Sequence, residues 1–373
     1  MKLFKSLLVA PATLGLLAPM TATANELNLQ DVSGYSSSEE VQNISEFNPA
    51  EELAVTNSRV DGLEARFNNF EAGGFSETTT ASFSVDTVIG AIDGASSETT
   101  SLDFQFNIGL STSFTGEDSL DIAIDSGNGT PSTMSSDIMG FDSGTGLVVD
   151  GVTYSFPVGG ASMVVGDSTD LSTAFTGACT YSAFTDLTPD DCGTGNSMGA
   201  GGKGVTAALG YAFDSGFSVA GGITSGNTEI LGDADDAFGL NAAYSADSYG
   251  VAVAYVSDDN GTSAKTTTWG LNGYYTFDLA SLSAGYETSE TGGTDKSGYF
   301  VGLSFPEVGP GSVNVAAATT GLFADSATET LVYEASYSYS INDGMTITPG
   351  IFIKEVDGGD DLTGVAVKTS FSF

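Results

Sequence analysis

Large apolar residues recur at every second position from about Thr78 to Phe373, and this period constrains the fold more than any other feature. In the segment 102–111, for example, Leu, Phe, Phe, Ile and Leu alternate with Asp, Gln, Asn, Gly and Ser. A period of two gives a strand one apolar face and one polar face. In a soluble sandwich the apolar face would meet a core, whereas in a membrane barrel it would meet lipid and the polar face would line water. The alternation predicts an all-β chain and leaves both architectures open.

The spacing of turn residues favours the membrane barrel. Seven junctions between strands are very short, and eight connections between them are longer and rich in Gly, Ser, Thr and Asp. The short junctions are 115–119, 157–160, 214–216, 247–248, 278–280, 306–309 and 342–344, and the longest connection runs from about 168 to 203. Short turns at one end and long loops at the other are typical of outer-membrane barrels. Seven turns and eight loops join sixteen strands, and a barrel of that size encloses water.

Aromatic residues beside the short junctions point the same way. Phe or Tyr stands next to most of these junctions, at Phe114, Phe156, Phe213, Phe217, Tyr249, Phe277, Phe305 and Tyr339. Such a ring at one height is typical of the lipid interface. The chain also ends in an alternating strand that closes on a terminal phenylalanine, as outer-membrane proteins do. We therefore expect a 16-stranded antiparallel transmembrane β-barrel over residues 75–373, with a secreted soluble β-protein as the alternative.

The first 24 residues predict a secretory signal peptide. Lys2 and Lys5 precede an apolar run over residues 7–17, and residues 22–24 supply a small-x-small cleavage site. A transmembrane anchor would need roughly 20 apolar residues, and two prolines interrupt this stretch. Residues 25–50, which are polar and Ser-rich, predict an irregular connector in the periplasm.

Residues 51–72 carry a heptad pattern that predicts a helix. Leu53, Val60 and Phe67 lie seven residues apart, and Leu63 and Phe70 fall between them, which makes the seam of a coiled coil. Three heptads are marginal alone. The helix therefore either packs on the barrel or joins the same helix of other copies, and we expect the second arrangement, as the stalk of a homotrimer.

Composition argues against catalysis and for one disulfide. The chain has 48 acidic residues, 9 basic residues and no histidine, which removes Ser-His and Cys-His catalysis and the commonest metal ligand. We expect no enzyme activity, no cofactor, no metal centre and no nucleic-acid partner. Two cysteines in an exported chain favour a Cys179–Cys192 bridge. It would either shape a loop folded into the pore or compact an external loop.

Strand parity assigns candidate residues to the interior. Residues 75–373 hold 38 acidic and 5 basic residues. Parity places six charged residues on the polar face: Asp86, Asp103, Asp121, Glu334, Lys354 and Lys368. The longest loop adds Asp170, Asp186, Asp190, Asp191 and Lys203 as a constriction. Barrel closure would bring Lys368 across from Asp86. An excess of acidic groups favours cations, so we expect a mild cation preference, with a wide, weakly selective pore as the alternative.

Several segments resemble one known family. They include the signal MKLFKSLLVAPATLGLLAP, the stretch SRVDGLEARFNNFEAGGFSETTTASF and the cysteine-bearing ACTYSAFTDLTPDDCGTGNS. These are similar to marine cyanobacterial outer-membrane porins, which are grouped with carbohydrate-selective porins and of which some are labelled iron-uptake porins. The resemblance implies a trimer of sixteen-stranded barrels in which the long third loop narrows the pore.

The sequence departs from that family in two respects. Members normally carry an S-layer homology domain before the coiled coil, and here only about ten residues, 41–50, occupy that interval. The resemblance therefore gives no support for tethering to peptidoglycan. The only arginines outside the signal, Arg59 and Arg66, lie in the predicted coiled coil, so a mechanism that uses arginines in the pore does not carry over.

Two classes of function follow from these features. The first is a passive, water-filled outer-membrane channel for small hydrophilic solutes and inorganic ions, to which the resemblance adds sugars. The second is a structural or adhesive barrel in the same membrane with a closed lumen. Asp-Asp pairs at 190–191, 235–236, 258–259 and 360–361 either bind divalent cations or are solvated surface charges.

Overall fold

The computed structural model describes residues 78–95, 98, 100–128, 133–141, 144–199, 202–226, 236–259 and 264–373. The predicted signal peptide, connector and coiled-coil stalk, with Leu53, Val60, Leu63, Phe67 and Phe70, lie outside the described residues.

Seventeen strands make up almost all of the regular structure of the described residues. They are β1 (Thr79–Asp93), β2 (Thr100–Thr112), β3 (Ser119–Gly127), β4 (Val148–Val158), β5 (Ala161–Thr169), β6 (Gly204–Ala212), β7 (Phe217–Ser225), β8 (Asp236–Ser245), β9 (Tyr249–Asp258), β10 (Thr266–Thr276), β11 (Ser281–Thr291), β12 (Thr294–Val308), β13 (Gly311–Thr319), β14 (Phe323–Ala324), β15 (Leu331–Asn342), β16 (Met345–Lys354) and β17 (Leu362–Ser372).

Sixteen of these strands close into one antiparallel barrel. Each long strand pairs with its neighbour in the chain, and β17 pairs with β1. The two-residue strand β14 pairs with β12 inside a loop, while β13 pairs directly with β15. The expected sixteen-stranded antiparallel barrel is confirmed.

The two ends of the barrel differ, and they are called the turn end and the loop end below. All seven expected short junctions connect strands at the turn end. One of the eight connections expected to be long is instead a two-residue turn, Gly292–Gly293, between β11 and β12. Both glycines have positive φ, 59° and 82°, which suits a tight hairpin turn. The two strands therefore stay paired up to Thr291 and Thr294.

Large apolar side chains cover the outer face of the barrel. Leu102 and Leu240, for example, are 70% and 63% exposed. Aromatic residues beside the turns lie on this face and touch across strands, as Phe217 does with Tyr244 at a ring separation of 4.6 Å. Near the loop end, Trp269 packs on Tyr255 at the same separation. This face has the apolar band and aromatic borders of a membrane barrel.

In the part of the chain that the structure describes, helical structure is confined to short turns in two loops. A π-helical turn spans Thr133–Ile138, a 3-10 turn spans Leu171–Thr173, and two single turns span Asp190–Gly193 and Gly195–Met198. Among the described residues, no helix is long and apolar enough to cross a membrane.

The interior is less polar than strand parity alone indicates. Val88, Phe300, Val332 and Phe352 lie on inward-facing positions, and each is at most 2% exposed. They pack in one cluster with residues of the loops, among them Ile138. Because these loops turn into the barrel, the wall beneath them must offer apolar surface.

Candidate functional site

The segment 170–203, called loop 3, connects β5 to β6 and lies against the inner face of the barrel. Its residues Leu171 and Phe175 pack with Ala237 and Val256 of β8 and β9. Phe184, further along, belongs to the cluster on the opposite wall. The loop therefore crosses the interior, as the family resemblance implied.

Glycines in the wall make room for loop 3. A Cβ atom on Gly285 would lie 1.8 Å from the carbonyl oxygen of Cys192, and one on Gly270 would lie 2.0 Å from the hydroxyl of Ser197. Other inward-facing glycines meet loop 3 in the same way, at Gly222, Gly239, Gly302 and Gly350. A side chain at these positions would displace the loop, so their small size sets its depth in the barrel.

A buried glutamate anchors the middle of loop 3. Glu334 on β15 is 4% exposed. One carboxylate oxygen accepts the Tyr181 hydroxyl at 2.8 Å and the Phe184 N–H at 2.9 Å. The other accepts the N–H and hydroxyl of Thr185 at 2.9 and 2.6 Å. Burial, followed by the charge of Glu334, raises the pKa of Tyr181, so the phenol stays protonated as a donor.

Three more wall residues hold the two flanks of loop 3. Glu287 on β11 accepts the Ser197 N–H and the Asn196 amide, both at 2.7 Å. Asn272 on β10 accepts the Ala178 N–H at 2.8 Å. Asn241 on β8 likewise accepts the Thr176 N–H at 2.8 Å. Buried polar groups are stabilising only when they are satisfied, and here loop backbone and wall side chains satisfy each other.

The expected disulfide is present inside loop 3. Cys179 and Cys192 are bonded, with their Cα atoms 5.6 Å apart. Asp191, Cys192 and Gly193 form a tight left-handed turn with positive φ values. Because this turn lies against Gly285 of the wall, the bridge shapes an inward-folded loop rather than an external one.

The segment 128–147 is called loop 2, and its described residues 133–141 also enter the barrel. Met134 and Ile138 are buried in the same cluster as Val88 of β1. The Asp186 N–H of loop 3 donates to the Ile138 carbonyl at 2.7 Å. Together the two loops fill the interior next to β12–β17 and β1.

Part of the remaining space lies along the wall of β1–β4. One cavity of about 440 Å³, called the wall cavity, lies between this wall and the first residues of loop 3. Its charged lining residues are Asp121, Asp150, Asp170 and Lys203. A neighbouring cavity of about 350 Å³ adds Asp125.

The wall cavity carries more negative than positive charge. Lys203 contacts both carboxylate oxygens of Asp150, at 2.8 and 2.9 Å, and this is the only ion pair in the described parts of the chain. Asp121 accepts the Ser119 hydroxyl at 2.8 Å, and Asp170 accepts the Ser172 N–H at 2.8 Å. The single lysine therefore offsets only one of the three carboxylates.

The pairing of β17 with β1, which closes the barrel, determines the neighbours of Asp86 and Lys368. Asp86 faces Ser370, whose hydroxyl donates to it. Lys368 lies across from Val88, so the expected Lys368–Asp86 pairing is wrong by one inward position. The sequence correctly predicts that the last strand pairs with the first. It does not determine the register of that pair, which depends on contacts along both strands.

The remaining expected wall residues differ in how deeply they are buried. Asp103 is 4% exposed and accepts the Asn128 amide at 2.7 Å. Glu334 is covered by loop 3, whereas Lys354 is partly exposed at the loop end of β16. Asp103 and Glu334 thus face inward beneath the loops.

The acidic residues of the loop 3 tip lie apart from the wall cavity. Asp186 is exposed and adjoins Gly140 of loop 2. Asp190 is exposed and Asp191 is half-buried. Burial raises the pKa of the Asp191 carboxyl, and the charges of Asp190 and Asp170 raise it further. Within the described ranges, no group of three or more Cys, Asp and Glu residues is arranged to hold a metal ion.

Sequence reasoning missed several residues that the structure brings into the site. They are Asp125 and Asp150 of the wall and the loop anchors Asn241, Asn272 and Glu287. A detectable signal was present, because each anchor is a polar residue on the inward face of a strand that also carries an inward glycine. Which loop they bind could not be read from the strands.

Comparison with models of known protein families identifies the family of this chain. A family model described as Gram-negative porin matches residues 28–357, which is most of the sequence. The chain belongs to the Gram-negative porin family. The family and the sixteen-stranded barrel together point to a general diffusion channel of the outer membrane.

Solved structures share the fold at low sequence identity. OprB from Pseudomonas putida is 13% identical with a TM-score of 0.65, covering 79% of this chain and 94% of that one. An anion-selective porin from Comamonas acidovorans is 15% identical with a TM-score of 0.57, covering 79% and 99%. A porin variant from Rh. blastica is 14% identical with a TM-score of 0.54, covering 79% and 100%. At these identities the likeness concerns the fold alone.

A curated relative matches part of the chain. An uncharacterised protein of a Nostoc species is 38% identical over 114 residues, which are 30% of this chain and 18% of the relative. The chain thus matches less than a fifth of that protein's length.

Proposed function

We propose that the barrel is a passive, water-filled channel that prefers cations among small hydrophilic solutes and inorganic ions. The observation that carries the proposal is the uncompensated charge of Asp121 and Asp170 in the wall cavity. Carboxylates that line a narrow passage attract cations and repel anions. The one lysine in the cavity is already paired with Asp150.

The geometry also favours a passage along the β1–β4 wall. Loops 2 and 3 cover much of the side of β12–β17 with apolar packing. The polar wall of β1–β4 stays beside the two cavities. Solutes would therefore pass between this wall and the start of loop 3.

The test is the reversal potential across a KCl gradient in a planar bilayer that contains the purified protein. A potential of the sign for potassium preference supports the proposal. A potential of the sign for chloride preference contradicts it. A potential near zero would indicate a wide pore whose charges are screened.

Sugar passage is a further proposal that comes from the family resemblance. Liposomes that contain the protein should swell in isotonic solutions of a pentose or hexose if sugars enter. Swelling with monosaccharides but not with a trisaccharide would fit the narrow wall passage. No swelling with any sugar, in vesicles that conduct potassium, would restrict the channel to ions.

A closed structural barrel is the second candidate, because apolar contacts of loops 2 and 3 fill much of the interior. The two candidates differ in conductance. Stepwise single-channel currents support the channel, whereas a correctly folded protein that inserts without current supports the closed barrel.

We also propose that three copies assemble in the outer membrane, with the N-terminal segment in the periplasm. Tyr and Trp border the outer face of most of the barrel, yet the five adjacent strands β16, β17, β1, β2 and β3 contain neither residue. Because such rings mark contact with the lipid interface, their absence fits a face covered by other copies.

The mass of the particle in mild detergent tests the assembly. Trimers support it and monomers alone contradict it. Deleting residues 25–72 then separates two contributions. If trimers persist, the barrel walls hold the assembly, and if they dissociate, the predicted coiled coil holds it.

A further inference from the structure

A separate cavity lies on the turn-end side of loop 3, against β13–β17. Its volume is about 280 Å³, and we call it the lysine niche. Its wall consists of Asn314, Ser336, Ser338, Thr346, Thr348, Lys368 and Ser370, and loop 3 contributes Ser182 and Ala183. None of the lining residues is acidic.

The charge of this niche is unusual in so acidic a chain. Lys368 is its only charged lining residue. Within the described residues Lys368 takes part in no ion pair, since the one such pair joins Lys203 to Asp150. Among the inward carboxylates nearby, Asp86 lies one inward position away on β1 and accepts the Ser370 hydroxyl. Glu334 is occupied by loop 3.

The remaining lining side chains other than Ala183 carry hydroxyl or amide donors. The Ser370 hydroxyl is already given to Asp86, and Thr346 shares a hydrogen bond of 3.2 Å with Ser340. Ser338 and Thr348 share one hydrogen bond of 3.0 Å, so one of their two hydroxyl protons remains for a ligand. Ser336 and Asn314 are each 6% exposed, so a ligand in the niche would reach them out of contact with bulk water. An ammonium ringed by hydroxyl and amide donors matches a tetrahedral oxyanion, because each oxygen can accept several hydrogen bonds and the charge strengthens them.

We propose that the lysine niche binds an oxyanion of the phosphate or sulfate type, with Lys368 as the charged ligand. The site goes beyond the proposed function and does not depend on its cation preference. An oxyanion held there sits beneath loop 3, away from the carboxylates of the wall cavity, so the barrel can favour cations and still bind one anion.

The experiment uses the full-length protein in detergent and follows the ³¹P line width of inorganic phosphate. The wild-type protein should broaden the line, and sulfate should reverse the broadening, whereas chloride at equal ionic strength should not. K368Q should weaken phosphate binding about tenfold or more, because it removes the charged donor. The matched control K354Q changes the other inward lysine at the barrel end and should leave the broadening intact.

Each outcome decides the proposal. No broadening by the wild-type protein, or equal broadening by K368Q, overturns it. If K368Q does not fold into a heat-stable barrel, T346V replaces it, since it removes one donor and keeps the side-chain shape, and several-fold weaker binding is expected. Displacement of phosphate by glucose would overturn the proposal in favour of a polyol site.

Two further arms separate the source of the ligand from the channel function. Glucose 6-phosphate that competes as well as inorganic phosphate would identify a site for phosphorylated solutes, and failure to compete would identify one for free oxyanion. The reversal potential of the same preparation tests the cation preference independently, so either proposal can fail alone.

Discussion

Glu334 and Thr185 join the barrel wall to loop 3 through two hydrogen bonds, one from the Thr185 N–H at 2.9 Å and one from its hydroxyl at 2.6 Å. Both end on the same carboxylate oxygen of a side chain that is 4% exposed. The other oxygen accepts Tyr181 and Phe184. Four donors that are separate from any strand pairing thus converge on one wall residue, so the position of loop 3 depends on that carboxylate.

E334Q should destabilise the barrel and loosen loop 3. The glutamine NH₂ group cannot accept hydrogen bonds and would face two of the four donors, and leaving buried donors unsatisfied costs roughly 1–3 kcal/mol. Urea unfolding in detergent measures the loss, and single-channel records should show new substates. The control E307Q changes an exposed residue of β12 and should do neither. Equal midpoints for both variants would contradict the anchoring role.

G285A should displace the disulfide turn. Its Cβ would lie 1.8 Å from the Cys192 carbonyl oxygen, a backbone atom that cannot rotate away. Overpacking of this kind costs about 1–3 kcal/mol, and thermal unfolding should report it. The control G321A meets no atom within 4 Å and has no positive φ, so its unfolding temperature should match that of the wild-type protein. A normal unfolding temperature for G285A would mean that the loop does not lie at this depth.

Sequence patterns predict most of the wall because a membrane barrel repeats one simple rule. Alternation located the sixteen strands, and Gly, Pro and Asp marked all seven turns. The rule fails at Gly292–Gly293, where two glycines between long strands indicate a hairpin that loop composition alone did not distinguish. The residue at which a strand ends at the loop end depends on how far it pairs with its neighbours. The sequence of one strand alone does not determine this.

The interior could be predicted only in part. The disulfide and the inward faces of Asp86, Asp121 and Lys368 follow from cysteine number and parity. The location of the open passage does not, because it depends on which wall the loops cover. Val88 illustrates the reason, since an inward valine looks like an exception to parity until loop 2 is seen to pack on it.

The double variant C179S/C192S should unfold more easily than the wild-type protein. A bridge across 13 residues constrains the unfolded chain by about 3 kcal/mol in the chain-entropy model. The unfolding midpoint measures that loss, and reduction of the wild-type protein should reproduce it. Thiol labelling provides the control: two reactive thiols in the unfolded, unreduced wild-type protein would refute the bond.

D118N should weaken the barrel at neutral pH and matter less in acid. The Asp118 carboxylate in the turn after β2 accepts the Thr115 N–H at 2.7 Å and the Tyr154 hydroxyl at 2.8 Å. Burial would raise the pKa of Asp118, but bonds from Thr115, Tyr154 and Ser113 outweigh it and lower the pKa.

The sign of the pH dependence follows from that lowered pKa. The ionised form stabilises the fold fully above the pKa of the unfolded chain, about 3.9, and this contribution is lost as pH falls toward the lower folded-state pKa. The difference in unfolding midpoint between D118N and the wild-type protein should therefore be smaller at pH 3 than at pH 7. D214N, in an exposed turn, is the control. A gap that stays constant with pH would show that charge is not involved.

The wall cavity should contribute more to cation preference than the exposed outer loops. D121N combined with D170N removes the two carboxylates that Lys203 does not offset, so the reversal potential in a KCl gradient should move toward zero. D357N combined with D360N removes the same charge from an exposed loop and should change little. In 0.1 M salt, exposed charges act only within about 10 Å. Raising the salt from 0.1 M to 1 M should reduce the cation preference of the wild-type protein, because screening then acts over a shorter distance.

The loop 3 tip provides the sharper comparison, because the sequence favours it as the constriction and the structure does not. Asp186 adjoins loop 2, Asp190 is exposed and Asp191 is half-buried, and none of them lines the wall cavity. Replacing all three with Asn removes one charge more than the Asp121 and Asp170 pair. We nevertheless expect the smaller shift in reversal potential from the tip variant. A larger shift would place the selective passage beside the tip of loop 3 rather than along the β1–β4 wall.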